Sequence, residues 1–363
     1  MMTLSILAGF VLLIVGAELL VRGASRLAKA VGIPALIVGL TVVAFGTGAP
    51  EFAVSVQASA LGQTDICVGN VVGSNILNVL LILGLSALTV PLATSPQLVR
   101  LDVPVMIAAS AAVWFLAADG EIGRPEGLAL LSALALYTVL LVFLAKRRKL
   151  GPASDDAAES SRTLPQLALS AISVAAGVAI LVLGSRWLVQ GSVELSRWLG
   201  VSELLIGLTI VSVGTSLPEL ATSVVAGIRG EREIAIGNVV GSNIFNILGV
   251  LGASAAVAGQ GMEVNPSALR FDIPIMTAVA VACLPVFFTG GRISRLEGMI
   301  LVAYYVAYVT FLVLHATASP RFTTFTNAMV FIVIPLTLIG VLFSIFAAIR
   351  QRRQRGDQSQ TTA

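Results

Sequence analysis

Charge is scarce in this sequence: Asp, Glu, Lys and Arg together make up 11% of its 363 residues, against 57% hydrophobic ones. A mean hydropathy of +0.97 excludes a domain that stays in solution, because so much apolar surface has to face lipid. Histidine occurs once, as His315, and cysteine twice, as Cys67 and Cys283. That inventory rules out an HExxH zinc site and a thiolate cluster, and two isolated cysteines make no disulfide framework. A serine–histidine couple would have to recruit His315 from a membrane edge. An aspartyl pair of Asp102 and Asp272 is the remaining catalytic arrangement and has nothing else behind it, so no enzyme and no cofactor are expected. The 22 basic residues are scattered over loops and form no patch, which argues against a nucleic-acid partner.

What the chain has in abundance is apolar runs of about 20 residues, the length that crosses roughly 30 Å of hydrocarbon as a helix. The expected fold class is an all-α polytopic membrane protein. Spans are placed near 4–28, 36–60, 66–90, 101–118 and 126–145, then near 166–186, 203–228, 234–257, 271–289 and 296–315, with an eleventh over 328–349. The opening run Leu4–Leu20 lacks a basic leading segment and a small-residue cleavage site, so it reads as the first span and not as a signal peptide. With the N-terminus outside, 17 of the 22 basic residues fall on one side and 5 on the other. The positive-inside rule makes the richer side cytoplasmic. The Arg350–Arg355 cluster joins that side only if the eleventh span exists. The expected location is the cell (inner) membrane, with the C-terminus in the cytoplasm.

Shifted by 168 residues on itself, the sequence aligns Gly39–Gly84 with Gly207–Gly252 without a gap, at 26 identities in 46 positions. The first copy reads GLTVVAFGTGAPEFAVS and then GNVVGSNILN; the second reads GLTIVSVGTSLPELATS and then GNVVGSNIFN. A weaker echo sets LVRLDVPVM at 98–106 against ALRFDIPIM at 268–276. Five spans per half is an odd number, so the second half enters the membrane from the opposite side. The expected organisation is a first five-helix repeat over 1–145, a cytoplasmic linker over 146–165, an inverted repeat over 166–316, and an additional helix with a basic tail over 317–363.

Inverted repeats are a recurrent plan of secondary transporters, which hold substrate near the bilayer midplane with broken helices. Spans two and seven are the candidates here. Pro50 and Pro218 lack an N–H, which deprives the carbonyls of Gly46 and Gly214 of helical partners. Glu51 and Glu219 follow those prolines, near the middle of their spans. An ionised carboxylate there costs about 2.5–3.5 kcal/mol on insertion scales unless it is neutralised. Spans two, three, seven and eight carry no basic residue away from their ends. Helical spacing sets Thr47 and Glu51 on one face, as it does Thr215 and Glu219, Ser74 and Asn78, and Ser242 and Asn246. The sum is an oxygen-only cage, suited to a hard cation such as calcium. Its charge of about −2 matches one calcium or two sodium ions, which sets these ions in competition.

Other polar and small residues have plainer readings. Gly69, Gly73, Gly237 and Gly241 are expected to pack helices closely. Asn70, Asn75, Asn238 and Asn243 are either interhelical hydrogen-bond donors or further ligands. Glu18, whose repeat counterpart is Arg186, suits an electrostatic structural role, and Asp102 and Asp272 suit interfacial helix starts.

The paired motifs GTGAPE with GNVVGSNILN and GTSLPE with GNVVGSNIFN resemble the α-repeats of the calcium/cation antiporter superfamily, most of all its prokaryotic sodium/calcium exchangers. The resemblance reaches over most of residues 1–315. It implies a central diamond of spans two, three, seven and eight, with the first and sixth helices sliding to alternate access. It puts ligands on Thr47, Glu51, Ser74 and Asn78 in one half, and on Thr215, Ser216, Glu219, Ser242 and Asn246 in the other, with the backbone carbonyls of Ala44 and Ser212. It also exposes departures: Gly48 stands where the family motif has serine, Asn246 where relatives can carry aspartate, and the eleventh span exceeds the usual ten. The function implied is exchange of calcium for sodium, with inorganic cations and the lipid bilayer as partners. Proton- or potassium-coupled exchange is the alternative, and a passive cation channel a remoter one.

Overall fold

A computed structural model describes residues 2–149, 164–200, 210, 212–259, 261–288, 291–340 and 342. The helices are α1 (Met2–Val31), a bent α2 (Ala35–Thr47 and Ala49–Ala60), α3 (Thr64–Thr89), α4 (Leu98–Leu116), α5 (Arg124–Lys149) and α6 (Leu164–Trp198), then α7 (Leu217–Ile228), α8 (Arg232–Val257), α9 (Ala268–Phe288), α10 (Arg295–Ala316) and α11 (Phe322–Gly340). Among the described residues nine helices are long and apolar enough to cross a bilayer, or ten if the two parts of α2, bent by 49°, are taken as one span. Residues 201–209 of the expected seventh span, 150–163 of the expected linker over 146–165, and 343–363, which hold the end of the expected eleventh span and the basic tail, lie outside the described residues.

The repeat seen in the sequence is a repeat in three dimensions. Widened π-helical turns interrupt α3 at Asn78–Leu83 and α8 at Asn246–Leu251, and interrupt α4 at Leu98–Asp102 and α9 at Ala268–Asp272. Two antiparallel strand pairs tie the halves together. Leu92 and Ala93 pair with Ile293 and Arg292, while Glu121 and Ile122 pair with Glu263 and Met262. The first pair joins the α3–α4 loop to the α9–α10 loop and the second the α4–α5 loop to the α8–α9 loop, so each links loops of opposite halves that are not repeat counterparts.

Burial sorts the helices. Within their most apolar windows α8 is 94% and α3 78% buried, whereas α10 is 6% and α11 0% buried. The centre is therefore α2, α3, α7 and α8, with α4, α5, α9 and α10 outside them. α8 closes against α2 because glycines meet there: a Cβ on Gly237 would sit 2.8 Å from the Leu36 carbonyl, and one on Gly241 2.6 Å from that of Leu40. Close packing is thus the role of these two glycines. Around Gly69 and Gly73 no described atom comes within 4 Å of the Cβ position, so the same role is not seen there.

α1 and α6 run antiparallel as a zipper outside this centre. Gly9, Gly16 and Gly23, seven residues apart, face Gly184, Gly177 and Ser170, also seven apart. A Cβ on Gly9 would lie 2.5 Å from the Leu188 amide nitrogen, and one on Gly177 2.6 Å from that of Leu20. α6 continues to Trp198, well beyond the expected end near 186. At 1.5 Å per residue its 35 residues reach about 52 Å, more than the hydrocarbon needs, so Arg186 marks a charge along the helix and not its end.

Two acidic residues are placed differently from expectation. Asp102 is wholly buried, held by the Tyr137 hydroxyl at 3.0 Å and the Gln97 amide at 3.3 Å. Asp272 takes the Tyr308 hydroxyl at 3.0 Å. Helix-start position alone did not reveal the tyrosine one span later. Glu18 pairs with Arg22 on its own helix and with Arg229, whose Nε donates to it at 2.7 Å. Its partner is thus the end of α7, not the repeat counterpart Arg186.

Candidate functional site

Glu51 lies in the first turn of the second part of α2, and Glu219 in the first turn of α7, each just after a proline at the start of a helix. Proline suits that place because the first-turn N–H groups have no helical partner, and the half-helix start favours an anion. Both carboxylates are buried, as are Thr47, Ser74, Asn78, Ser216, Ser242 and Asn246, while Thr215 is half-buried. Ala44 is buried, and its carbonyl accepts the Gly48 amide at 3.0 Å and the Thr47 hydroxyl at 3.4 Å. Ser212 opens the short helical turn Ser212–Gly214 ahead of α7. The Gly214 carbonyl, expected to be left free by Pro218, is taken at 2.6 Å by the Ser185 hydroxyl of α6.

The two halves are cross-braced by asparagines. Asn70 donates its Nδ2 to Ser55 Oγ at 2.9 Å and to the Glu51 carbonyl at 3.4 Å, and accepts from Thr215 Oγ1 at 3.2 Å. Asn238 repeats the pattern with Ser223 at 2.9 Å, the Glu219 carbonyl at 3.3 Å and Thr47 at 3.1 Å. A second set lies along α3 and α8. Asn78 donates to Asn243 Oδ1, and Asn246 to Asn75 Oδ1, both at 3.2 Å. Asn75 in turn donates to the Asn243 carbonyl at 3.3 Å and to Met276 Sδ at 3.6 Å, and Asn243 to Met106 Sδ at 3.4 Å. Asn70, Asn75, Asn238 and Asn243 are therefore engaged as interhelical hydrogen-bond partners.

Each amide nitrogen of this network donates to protein, which turns particular oxygens loose. Glu51 Oε2, Glu219 Oε2, Asn78 Oδ1, Asn246 Oδ1 and Ser242 Oγ are buried with no hydrogen-bond partner among the described residues. A buried oxygen without a donor costs about 1–3 kcal/mol, more when charged. These five fall on two carboxylates, two amides and one hydroxyl of the expected ligands, and a donor or a cation satisfies such oxygens; further buried oxygens without a hydrogen-bond partner among the described residues are on Glu18, Ser86, Gln97, Thr222 and Ser254.

Sequence reasoning missed Ser55, Ser223, Met106, Met276 and Phe245 as parts of this surround. Ser55 and Ser223 stand four residues after the glutamates, and Met106 and Met276 end the 98–106 and 268–276 echo. Those repeats were the available signal for them.

The family model for "sodium/calcium exchanger protein" matches residues 1–143 and 169–314. The chain belongs to the sodium/calcium exchanger family. It is a multi-pass membrane protein of a family of cation exchangers and not of an enzyme class. Among its relatives, the sodium/calcium exchanger MaX1 of Methanosarcina acetivorans is 33% identical over 344 residues, covering 85% of this chain and 97% of its own. The inner membrane protein YrbG of Escherichia coli is 35% identical over 282 residues, covering 77% of this chain and 86% of its own. The fold is also that of the sodium-calcium exchanger NCX_Mj, in a structure soaked with zero sodium and calcium. That match has a TM-score of 0.74 at 27% identity, over 86% of this chain and 98% of that one.

Proposed function

We propose that this exchanger moves calcium against sodium by alternating access at one oxygen site between its repeats. Its side-chain ligands are Thr47, Glu51, Ser74, Asn78, Thr215, Ser216, Glu219, Ser242 and Asn246, joined by the carbonyls of Ala44 and Ser212. The observation that carries this reading is the set of five buried oxygens left without donors on Glu51, Glu219, Asn78, Asn246 and Ser242. Nitrogen and sulfur are absent from the set, which favours hard cations. Two carboxylates carry about two negative charges, and one calcium or two sodium ions neutralise them, so either cargo cancels the charge of the empty site while access switches from one side to the other.

The relatives support this choice of ions: MaX1 and NCX_Mj are both named sodium/calcium exchangers. The basic residues put the N-terminus outside and the C-terminus in the cytoplasm of the cell (inner) membrane. The halves divide at a linker over 146–165, and the sodium gradient then expels calcium.

Calcium-45 uptake into proteoliposomes loaded with sodium, potassium or choline tests the proposal. Uptake that requires internal sodium, and that Glu51→Gln and Glu219→Gln each abolish, is expected. Uptake equal in choline and sodium vesicles moves the reading to a proton-coupled exchanger or a channel, and dependence on potassium to a potassium-coupled one. Full activity in either glutamine variant removes the proposed ligands.

A further inference from the structure

The site loses its two-fold symmetry at one pair of equivalent positions, Ser216 and Gly48. Ser216 Oγ donates to Glu51 Oε1 at 2.9 Å and lies 3.1 Å from Ser74 Oγ. The repeat turns this trio into Gly48, Glu219 and Ser242. With no side chain at position 48, Ser242 Oγ is buried without a partner among the described residues, whereas Ser74 Oγ has Ser216; the second carboxylate oxygens, Glu51 Oε2 and Glu219 Oε2, are unpartnered on both sides.

The missing hydroxyl has been replaced by a ring. A Cβ on Gly48 would stand 3.0 Å from the Ala44 carbonyl oxygen of its own turn and 3.0 and 3.2 Å from Cδ1 and Cε1 of Phe245, so among side chains it is this ring that crowds the position. The first repeat has Leu77 at the place of Phe245. Nor is the ring free to swing aside. It stacks on Phe45 at 4.6 Å and on Phe52 at 6.3 Å between centroids, and lies where a Cβ on Gly249 would come within 2.8 Å of it. Gly48 and Phe245 thus fit one another, and their repeat counterparts are Ser216 and Leu77.

We infer that Phe245 is a specificity-determining residue of the ion site: it holds the Glu219–Ser242 side one oxygen short, so that side binds a monovalent cation more weakly than the Glu51–Ser74 side. The inference rests on the sodium reading above. A sodium ion is held by a handful of mostly neutral oxygens, so losing one matters to it. Calcium between two carboxylates is held mainly by charge and feels the loss less.

The test is equilibrium displacement of calcium-45 from the purified full-length protein by sodium chloride, with choline chloride holding ionic strength constant. Gly48→Ser combined with Phe245→Leu should lower the sodium needed for half-displacement roughly three- to tenfold, the size expected for one added neutral ligand. Phe245→Leu alone, which adds no oxygen, should not lower it, and Gly48→Ser alone should gain less than the pair because the ring stays. Ser216→Gly should raise it. A double variant that binds calcium but releases it at the wild-type sodium concentration overturns the inference. If that variant does not fold, an unchanged sodium requirement in Ser216→Gly overturns it instead. Failure of sodium to displace calcium from the unaltered protein sinks the sodium reading itself, and this inference with it. Displacement from the unaltered protein with no response in the variants sinks only the role of Phe245.

Discussion

Asn246 donates its amide nitrogen to Asn75 Oδ1 at 3.2 Å, across the boundary between the two repeats. An amide has one acceptor and one donor end, so committing the nitrogen fixes which way the oxygen faces. The Asn246 Oδ1 is left buried and without a partner among the described residues. Asn78 and Asn243 repeat the relationship at the same distance. The oxygens are thus aimed by neighbours in the opposite half, and anything that moves one half against the other disturbs them.

Aspartate at 246 should therefore not be a neutral exchange. Asn246→Asp removes the donor that Asn75 Oδ1 receives and sets a third carboxylate beside Glu51 and Glu219. Only the protonated acid restores an O–H to Asn75, so the variant should acquire a pH-dependent calcium transport that weakens as pH rises and recovers as it falls. Calcium-45 uptake over a pH series, with unaltered protein in parallel, reads this directly. Identical pH profiles for the two proteins would mean that the Asn75 contact does not constrain position 246.

Gly237 supplies a second prediction, about packing. The space for its Cβ is taken by the Leu36 carbonyl at 2.8 Å and the Gly39 Cα at 3.1 Å, both backbone and unable to rotate away. Gly237→Val forces α2 and α8 apart, and overpacking of this kind costs typically about 1–3 kcal/mol. A lowered thermal midpoint in detergent is expected, along with weaker calcium binding because Asn238 next to it braces Thr47 and Glu219. A valine variant with the wild-type midpoint would show that this contact bears no load.

Much of this architecture could be read from the chain because the repeat exposes it twice. Apolar run length located the helices, and the doubled GNVVGSN motif located α3 and α8. The break in α2 and the glutamates after Pro50 and Pro218 were equally legible, since proline and a membrane-buried charge each have few explanations. What escaped was whatever depends on partners distant in sequence. The thioethers of Met106 and Met276 look like ordinary core residues until Asn243 and Asn75 are seen to point at them. The wide spacing of seven between Gly9, Gly16 and Gly23 meant nothing without α6 beside it. Phe245 differs from Leu77 by an apolar exchange that no motif flags, and its effect is visible only against Gly48.

The ion pair of Glu18 with Arg229 links α1 to the end of α7, and its side chains are 23% and 45% exposed. Partly exposed pairs of this kind are worth roughly 0–1 kcal/mol and are screened by salt. A double-mutant cycle of Glu18→Gln and Arg229→Gln on thermal stability should give a coupling within that range that shrinks at high salt. A coupling of several kcal/mol would identify the pair as a buried lock and not a surface tether.

α11 offers the last test. The Tyr304 hydroxyl of α10 donates to Thr337 Oγ1 of α11 at 2.6 Å, and at the start of α11 Phe322 packs on Phe311 and His315 of α10. No residue from Phe322 to Gly340 is buried. None of the residues proposed as ligands touches it through a described hydrogen bond, and α10 itself lies outside the central four helices. A chain ended after Ser319 should accordingly insert, fold and exchange calcium at near the wild-type rate. The changes expected are a thermal midpoint lower by a few degrees and, if α11 serves assembly, a smaller particle on size-exclusion chromatography. Loss of calcium transport by a truncated protein that still inserts and folds would mean that α11 acts on the site through α10, most directly through Tyr308 and the Asp272 carboxylate it holds.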